Sequence, residues 1–208
     1  MPVILITGAN RGLGLEFVKQ YAERGWGVIA TARDTAAATE LSALATTHRS
    51  LRIETLDVGN HEDIKALAAR LGQQPIDVLL NNAGWLGDTR KQSFDELDYP
   101  SFEEVLRINT YGPLVMAKAF MPNVQASEQK KIVVITSGLS SITNTSRFGN
   151  LYFYRISKAG VNMAMRTLQA EVRAKGVKIG ILAPGMVDTR LLRQSGYEGP
   201  GVIQASQS

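Results

Sequence analysis

Apolar positions follow two alternating rhythms along this chain. Short runs rich in β-branched and other apolar residues cover residues 3–6, 27–31, 51–56, 76–80, 132–136 and 177–182. Runs of this length predict strands, several of them buried on both faces. Between them, residues 14–24, 35–45, 61–71, 101–120 and 151–174 carry helical patterns. Strands alternating with helices predict an α/β fold: a single-domain doubly wound parallel sheet with helices on both faces. In such a sheet, ligands bind outside the carboxyl ends of the strands. Residues with binding chemistry follow the predicted strands as that rule requires: Gly8, Arg33, Asp57, Asn82, Ser137 and Pro184.

Composition narrows the picture. A length of 208 residues, 44% of them hydrophobic and 20% charged, suits one globular domain spanning 1–208. The net charge of +4 is small and scattered. No basic stripe with interleaved aromatics is visible, so no nucleic-acid partner is expected. A mild positive charge does favour an anionic small molecule. The absence of cysteine removes disulfides, thiolate metal sites and cysteine nucleophiles together, and fits a cytoplasmic protein. The first apolar run is too short for a signal peptide. No stretch approaches the roughly 20 apolar residues of a membrane span, so no membrane partner is expected. His48 and His61 stand outside every motif, and no metal site is expected.

The string Thr7-Gly8-Ala9-Asn10-Arg11-Gly12-Leu13-Gly14 joins the first strand to the first helix. Glycines there let backbone approach a pyrophosphate, and the helix N-terminus offers free N–H groups and a partial positive charge. The spacing is G-x-x-x-G-x-G rather than the commoner G-x-G-x-x-G. With that spacing the turn resembles the classical short-chain dehydrogenases/reductases, Rossmann-type enzymes whose turn reads Thr-Gly-x-x-x-Gly-x-Gly. The resemblance implies cofactor contacts from Gly8, Asn10, Arg11, Gly12, Leu13 and Gly14.

It also implies which cofactor. Many dinucleotide enzymes place an acid after the second strand for the ribose of NAD, while an Arg accommodates the 2′-phosphate of NADP. Here the segment is Ala30-Thr31-Ala32-Arg33-Asp34, with Ala32 at the family's acid position and Arg33 next. Arg11 is a second cation, in a place where NADP-using members often carry one. A guanidinium binds a phosphate bidentately, so NADP(H) is expected over NAD(H). Asp34 competes: turned inward, it would pair with Arg33 or take the ribose itself. The resemblance assigns Asp57 and Val58 to the adenine, although Asp57 also suits a helix cap. Asn82, Ala83 and Gly84 follow the fourth strand in the family's Asn-Asn-Ala-Gly, where backbone passes the cofactor and the Asn side chains tie neighbouring backbone groups together.

Tyr154-Arg155-Ile156-Ser157-Lys158 carries the proposed chemistry. Residues i and i+4 share a helix face, so Tyr154 and Lys158 project together. A nearby ammonium is expected to lower the phenol pKa from roughly 10 and make Tyr154 a usable proton donor or acceptor. Tyr152 lacks this partner, since Ile156 occupies its i+4 position. In the family, a serine at the preceding strand end bonds the substrate oxygen. That position is Ser137, with Ser140 and Ser141 as nearby alternatives. Asn109 lies within a helical pattern where Asn is a poor fit. Such an Asn is expected to bend the helix and hold a water, and the family uses an Asn there in a proton relay through the lysine. The segment 184–189 resembles the family's Pro-Gly stretch past the nicotinamide, with Pro184 and Gly185, the Val187 backbone and the Thr189 hydroxyl as contacts.

The resemblance covers residues 2 to about 190 and is nearest to carbonyl-reductase-like and C-factor-like members. It implies hydride transfer between NADP(H) and a small-molecule carbonyl or alcohol. The alternative is an NAD(P)-binding signalling or regulatory protein with little turnover. A homodimer or homotetramer through the 101–120 and 151–174 helices is expected. Family members continue through a further helix and strand, apparently absent from this chain, which ends at Ser208. Leu139, Ile142, Phe148, Leu191 and Leu192 are candidate pocket residues for an apolar substrate.

Overall fold

In the computed structural model, which describes residues 1–147 and 149–208, the predicted runs become strands of one sheet. In chain order, β1 (Val3–Ile6) leads into α1 (Gly12–Glu23), β2 (Gly27–Ala32), α2 (Thr39–Thr47), β3 (Leu51–Thr55), α3 (His61–Leu71) and β4 (Val78–Asn81). A small antiparallel hairpin follows, β5 (Gln92–Ser93) with β6 (Glu96–Leu97). Next come α4 (Tyr99–Leu106), a π-helical turn (Arg107–Tyr111), α5 (Gly112–Gln125) and β7 (Lys131–Ile135). The chain then forms α6 (Tyr152–Val172), β8 (Lys178–Leu182), β9 (Met186–Val187), α7 (Arg190–Gln194) and β10 (Val202–Ile203).

Six strands pair in parallel in the order β3-β2-β1-β4-β7-β8. This is the doubly wound α/β fold expected from the sequence. Successive strand residues point to opposite faces, which divides the core in two. Leu5, Leu79 and Ile132 pack with Ile64 and Leu67 of α3 and with Met116 and Phe120 of α5. Ile4, Ile6 and Leu80 pack with Leu15 and Val18 of α1 and Leu41 of α2. Both layers are almost wholly dry, so the apolar runs are needed on both sides. The strand order reverses between β1 and β4, which opens a crevice above their carboxyl ends.

Two helices differ from expectation. The helix expected over 35–45 begins only at Thr39. Asp34 Oδ1 accepts from the Ala37 N–H (3.0 Å), and Ala38 N donates to Thr35 O, so residues 34–38 form a turn instead. The segment 101–120 is not one helix. The π turn separates α4 from α5, and the Gly112 N–H reaches back five residues to Arg107 O. Pro113 explains the break. It has no N–H for the carbonyl of Asn109 four residues earlier, and its ring would crowd that carbonyl. Other boundaries agree within about two residues. Among the described residues, no helix is long and apolar enough to cross a membrane.

Candidate active site

A cavity of about 870 Å³ opens at the carboxyl ends of β1, β2, β4 and β7, and all the residues singled out after those strands line it. Its floor is the glycine turn. Gly8 has φ +65°, and a Cβ there would come within 2.9 Å of Ala83 Cα. A Cβ on Gly14 would sit 2.1 Å from Gly8 O. Only glycine permits this contact between the turn and the 82–84 segment. Hydrogen bonds fix it further. Thr7 Oγ1 accepts from the N–H groups of Asn82 and Ala83, and Asn82 Nδ2 donates to Thr7 O and Gly8 O (2.9 and 3.0 Å). Asn82 therefore ties the end of β4 to the glycine turn. Arg11 gives α1 no side-chain cap, and the first-turn residues Gly12, Leu13 and Gly14 line the cavity. A helix N-terminus left this way is suited to an anion.

The cations sit on the same wall. Arg11 and Arg33 both line the cavity. Ala32 ends β2 with no carboxylate. Asp34 is committed to the Ala37 N–H and does not line the cavity. Asp57 and Val58 do line it, and Asp57 Oδ1 accepts from the Gly59 N–H (2.8 Å). The cap of α3 is Asn60, not Asp57. Arg11 also has its pKa lowered, first by partial burial and then by the nearby charges of Arg190 and Arg33.

At the other end of the cavity stand Ser137, Tyr154 and Lys158. Both α6 residues are buried, at 6% and 4% exposure, and Lys158 Nζ lies 5.7 Å from the Tyr154 ring centroid. The Ser137 side chain is near enough to the phenol to act on its acidity. Ser140 instead donates to Ser137 O (2.6 Å), and Ser141 accepts from Asn144 N, so neither alternative faces the cavity. The phenol's acidity departs from expectation. Burial pushes Tyr154 up to about 12, only partly offset by the Ser137 side chain, and Lys158 does not draw it down. Lys158 is itself lowered to about 8 by burial, and its Nζ donates to Ile135 O (2.9 Å). Desolvation outweighs the lysine's proximity here.

The sequence matches the family model described as short chain dehydrogenase over residues 2–198. The chain belongs to the short-chain dehydrogenase family. Relatives include the 1-hydroxy-2-glutathionyl-2-methyl-3-butene dehydrogenase of Rhodococcus sp. strain AD45, 34% identical over 93% of this chain and 81% of that protein. The C-signal of Myxococcus xanthus is 34% identical over 61% of this chain and 74% of that protein. An NADPH-bound carbonyl reductase from chicken fatty liver shares the fold at a TM-score of 0.89 and 32% identity, over 99% of this chain and 83% of that one.

Other positions of the dehydrogenase motif behave less simply. Asn109 lies in the π turn and is fully buried. It accepts from Trp85 N (2.8 Å) and donates to Trp85 O (2.7 Å) and Ser157 Oγ (3.0 Å) rather than bonding Lys158. Lys158 Nζ and Asn109 Oδ1 both lie near Gly84, 3.4 and 3.5 Å from where a Cβ would stand. Pro184, Gly185, Val187 and Thr189 line the cavity. Thr189 Oγ1 accepts from Leu192 N and caps α7, which leaves its O–H to donate. Val187 lies in β9, opposite Ile203. Leu139, Leu191 and Leu192 line the cavity, whereas Ile142 is 89% exposed and outside it. Phe148 lies outside the described residues.

Two residues of this dehydrogenase site escape a reading of the sequence. Gln92 is fully buried in β5. Its Oε1 accepts from the Tyr154 N–H (3.2 Å), and its Nε2 donates to Leu86 O (2.8 Å). Leu151, the N-cap of α6, provides no side-chain cap, so a residue 62 positions away caps this helix. Arg190, beside Thr189, also lines the cavity. A buried polar residue in a polar loop leaves no periodic signal, and neither residue belongs to the family's motifs.

Proposed function

We propose that this chain is an NADP(H)-dependent oxidoreductase that reduces a small-molecule carbonyl, and in reverse oxidises an alcohol. The observation that carries the reading is the convergence of Ser137, Tyr154 and Lys158 on the cavity whose floor is the glycine turn. The chain fits the cofactor. The glycine turn leaves room for backbone against a pyrophosphate, and Arg11 and Arg33 stand where Ala32 supplies no competing acid. Gly8, Asn10, Gly12, Leu13 and Gly14 would hold the diphosphate, Asp57 and Val58 the adenine, and Pro184, Gly185, Val187 and Thr189 the nicotinamide side. The bound cofactor supplies or accepts the hydride.

The side chains perform the rest. The Ser137 hydroxyl and Tyr154 phenol bind and polarise the carbonyl oxygen. Burial keeps Tyr154 protonated through the neutral range, which suits it to give its proton to the developing alkoxide. The Lys158 ammonium then stabilises the phenolate. Asn109 fixes the Trp85 backbone and Ser157, and so holds the floor beneath the lysine. Leu139, Leu191 and Leu192 give the substrate side an apolar lining.

A signalling role with little turnover, raised by the likeness to the C-signal, is the second reading. A pure sensor needs no serine–tyrosine–lysine set, and that favours the enzyme. We place the protein in the cytoplasm as a homodimer or homotetramer formed through α4–α5 and α6. Tyr111, Ile156 and Met163 on these elements are exposed apolar side chains that such contacts would cover. The direct test follows NADPH absorbance against a panel of ketones and aldehydes. Turnover of at least one supports the enzyme. NADPH binding without turnover across the panel favours the sensor.

A further inference from the structure

Four arginines line the cavity: Arg11, Arg33, Arg155 and Arg190. Arg155 is held by the protein, its Nε donating to Asn150 O (2.8 Å). Arg11, Arg33 and Arg190 have no side-chain hydrogen bond or ion pair among the described residues. The acids around them are committed elsewhere. Asp188 is bound bidentately by Arg193 (2.9 and 3.0 Å), Asp34 accepts from the Ala37 N–H, and Asp57 accepts from the Gly59 N–H. Arg190 is close enough to depress the pKa of Arg11, and its effect exceeds that of Arg33. Its root is fixed against the glycine turn: Thr189 Cγ2 lies 3.3 Å from where a Cβ on Gly12 would be. Arg11 is repelled by both Arg190 and Arg33, with no carboxylate paired to any of the three among the described residues. An anion between them turns that repulsion into shared attraction.

We propose that Arg190 is a third phosphate-binding arginine, reaching a phosphate of the dinucleotide from the start of α7, beside the glycine turn. This rests on the NADP(H) reading above and extends it to a residue outside the family's motifs. It also gives α7 a function. Thr189 caps this short helix and the Asp188–Arg193 pair braces it, so the Arg190 backbone is held beside Gly12. Cofactor binding then ties the segment carrying the pocket residues Leu191 and Leu192 to the nucleotide floor.

The test is equilibrium binding of NADPH and of NADH by isothermal titration calorimetry to the full chain and to Arg190→Ala and Arg190→Lys. Arg190→Ala is expected to weaken NADPH at least about tenfold, the scale of a charge-assisted hydrogen bond. Arg190→Lys should recover part of the loss, and the melting temperature of the free protein should be unchanged, since Arg190 is exposed. An equal loss for NADH identifies the diphosphate as the partner, and a loss confined to NADPH identifies the 2′-phosphate. A variant that binds NADPH within twofold of the unsubstituted protein overturns this proposal and leaves the NADP(H) reading standing. If the unsubstituted protein binds neither nucleotide, the NADP(H) reading fails and this proposal fails with it.

Discussion

Tyr154 and Lys158 are one helical turn apart and both out of water, and burial acts on them in opposite senses. It raises the phenol to about 12 and lowers the ammonium to about 8. At neutral pH both hold their protons. For Lys158 this has a cost, since a protonated amine is buried in the folded state and solvated in the unfolded one. Its folded pKa lies below the unfolded 10.5, so its contribution to stability improves as pH rises from about 8 to about 10.5 and is constant, at its least favourable, below about 8. Lys158→Met removes that dependence. The melting temperature of the variant without cofactor should exceed that of the parent near pH 7, with the gap closing by about pH 10.5. A gap that does not change with pH would show that the Lys158 pKa is not lowered on folding. The i,i+4 pairing of these residues is legible in the sequence. The direction of the tyrosine shift is not, because it depends on how Leu86, Leu139 and Leu151 close around the ring. Arg33 is legible for the opposite reason: it follows a strand end directly. Arg33→Ala is expected to weaken NADPH roughly tenfold or more while sparing NADH. Equal loss of both in a titration would contradict a 2′-phosphate contact.

At the level of elements, the decisive joints are the N-terminus of α6 and the break between α4 and α5. Leu151 enters α6 with φ +56° and no side-chain cap. Gln92, from the hairpin strand β5, bonds the Tyr154 N–H and anchors Leu86 O on the cavity wall. Gln92→Leu keeps the bulk and strands both groups, which should lower stability by about 2 kcal/mol. It should also reduce kcat with little change in NADPH binding, since displacement of Tyr154 affects the proton step. A thermal melt and steady-state kinetics check both. An unchanged kcat would confine Gln92 to a structural role. The π turn has a local signal, an Asn followed four residues later by Pro113, which explains how the sequence could raise suspicion at Asn109 without locating the break. The Gln92 contact has no local signal, because its partner is 62 residues away.

Across the whole molecule, the apolar runs identify the strands of the sheet, while their order appears only in the structure. Strands buried on both faces need helices on both sides, and the reversal between β1 and β4 leaves one crevice where the strand-end residues gather. That is why the glycine turn, Asn82, Ser137 and Pro184 could be singled out by position, with their roles supplied by the family resemblance. Contributions from beyond the main sheet, such as β9, β10 and α7, follow no strand-end rule, and Arg190 enters the cavity from there. The central claim is that this single crevice positions one phenol to donate a proton. Tyr154→Phe tests it most directly, with turnover of a carbonyl substrate and NADPH affinity measured on the same preparation. The account predicts unchanged NADPH binding and a loss of turnover of at least about a hundredfold. Full turnover by the phenylalanine variant would contradict it.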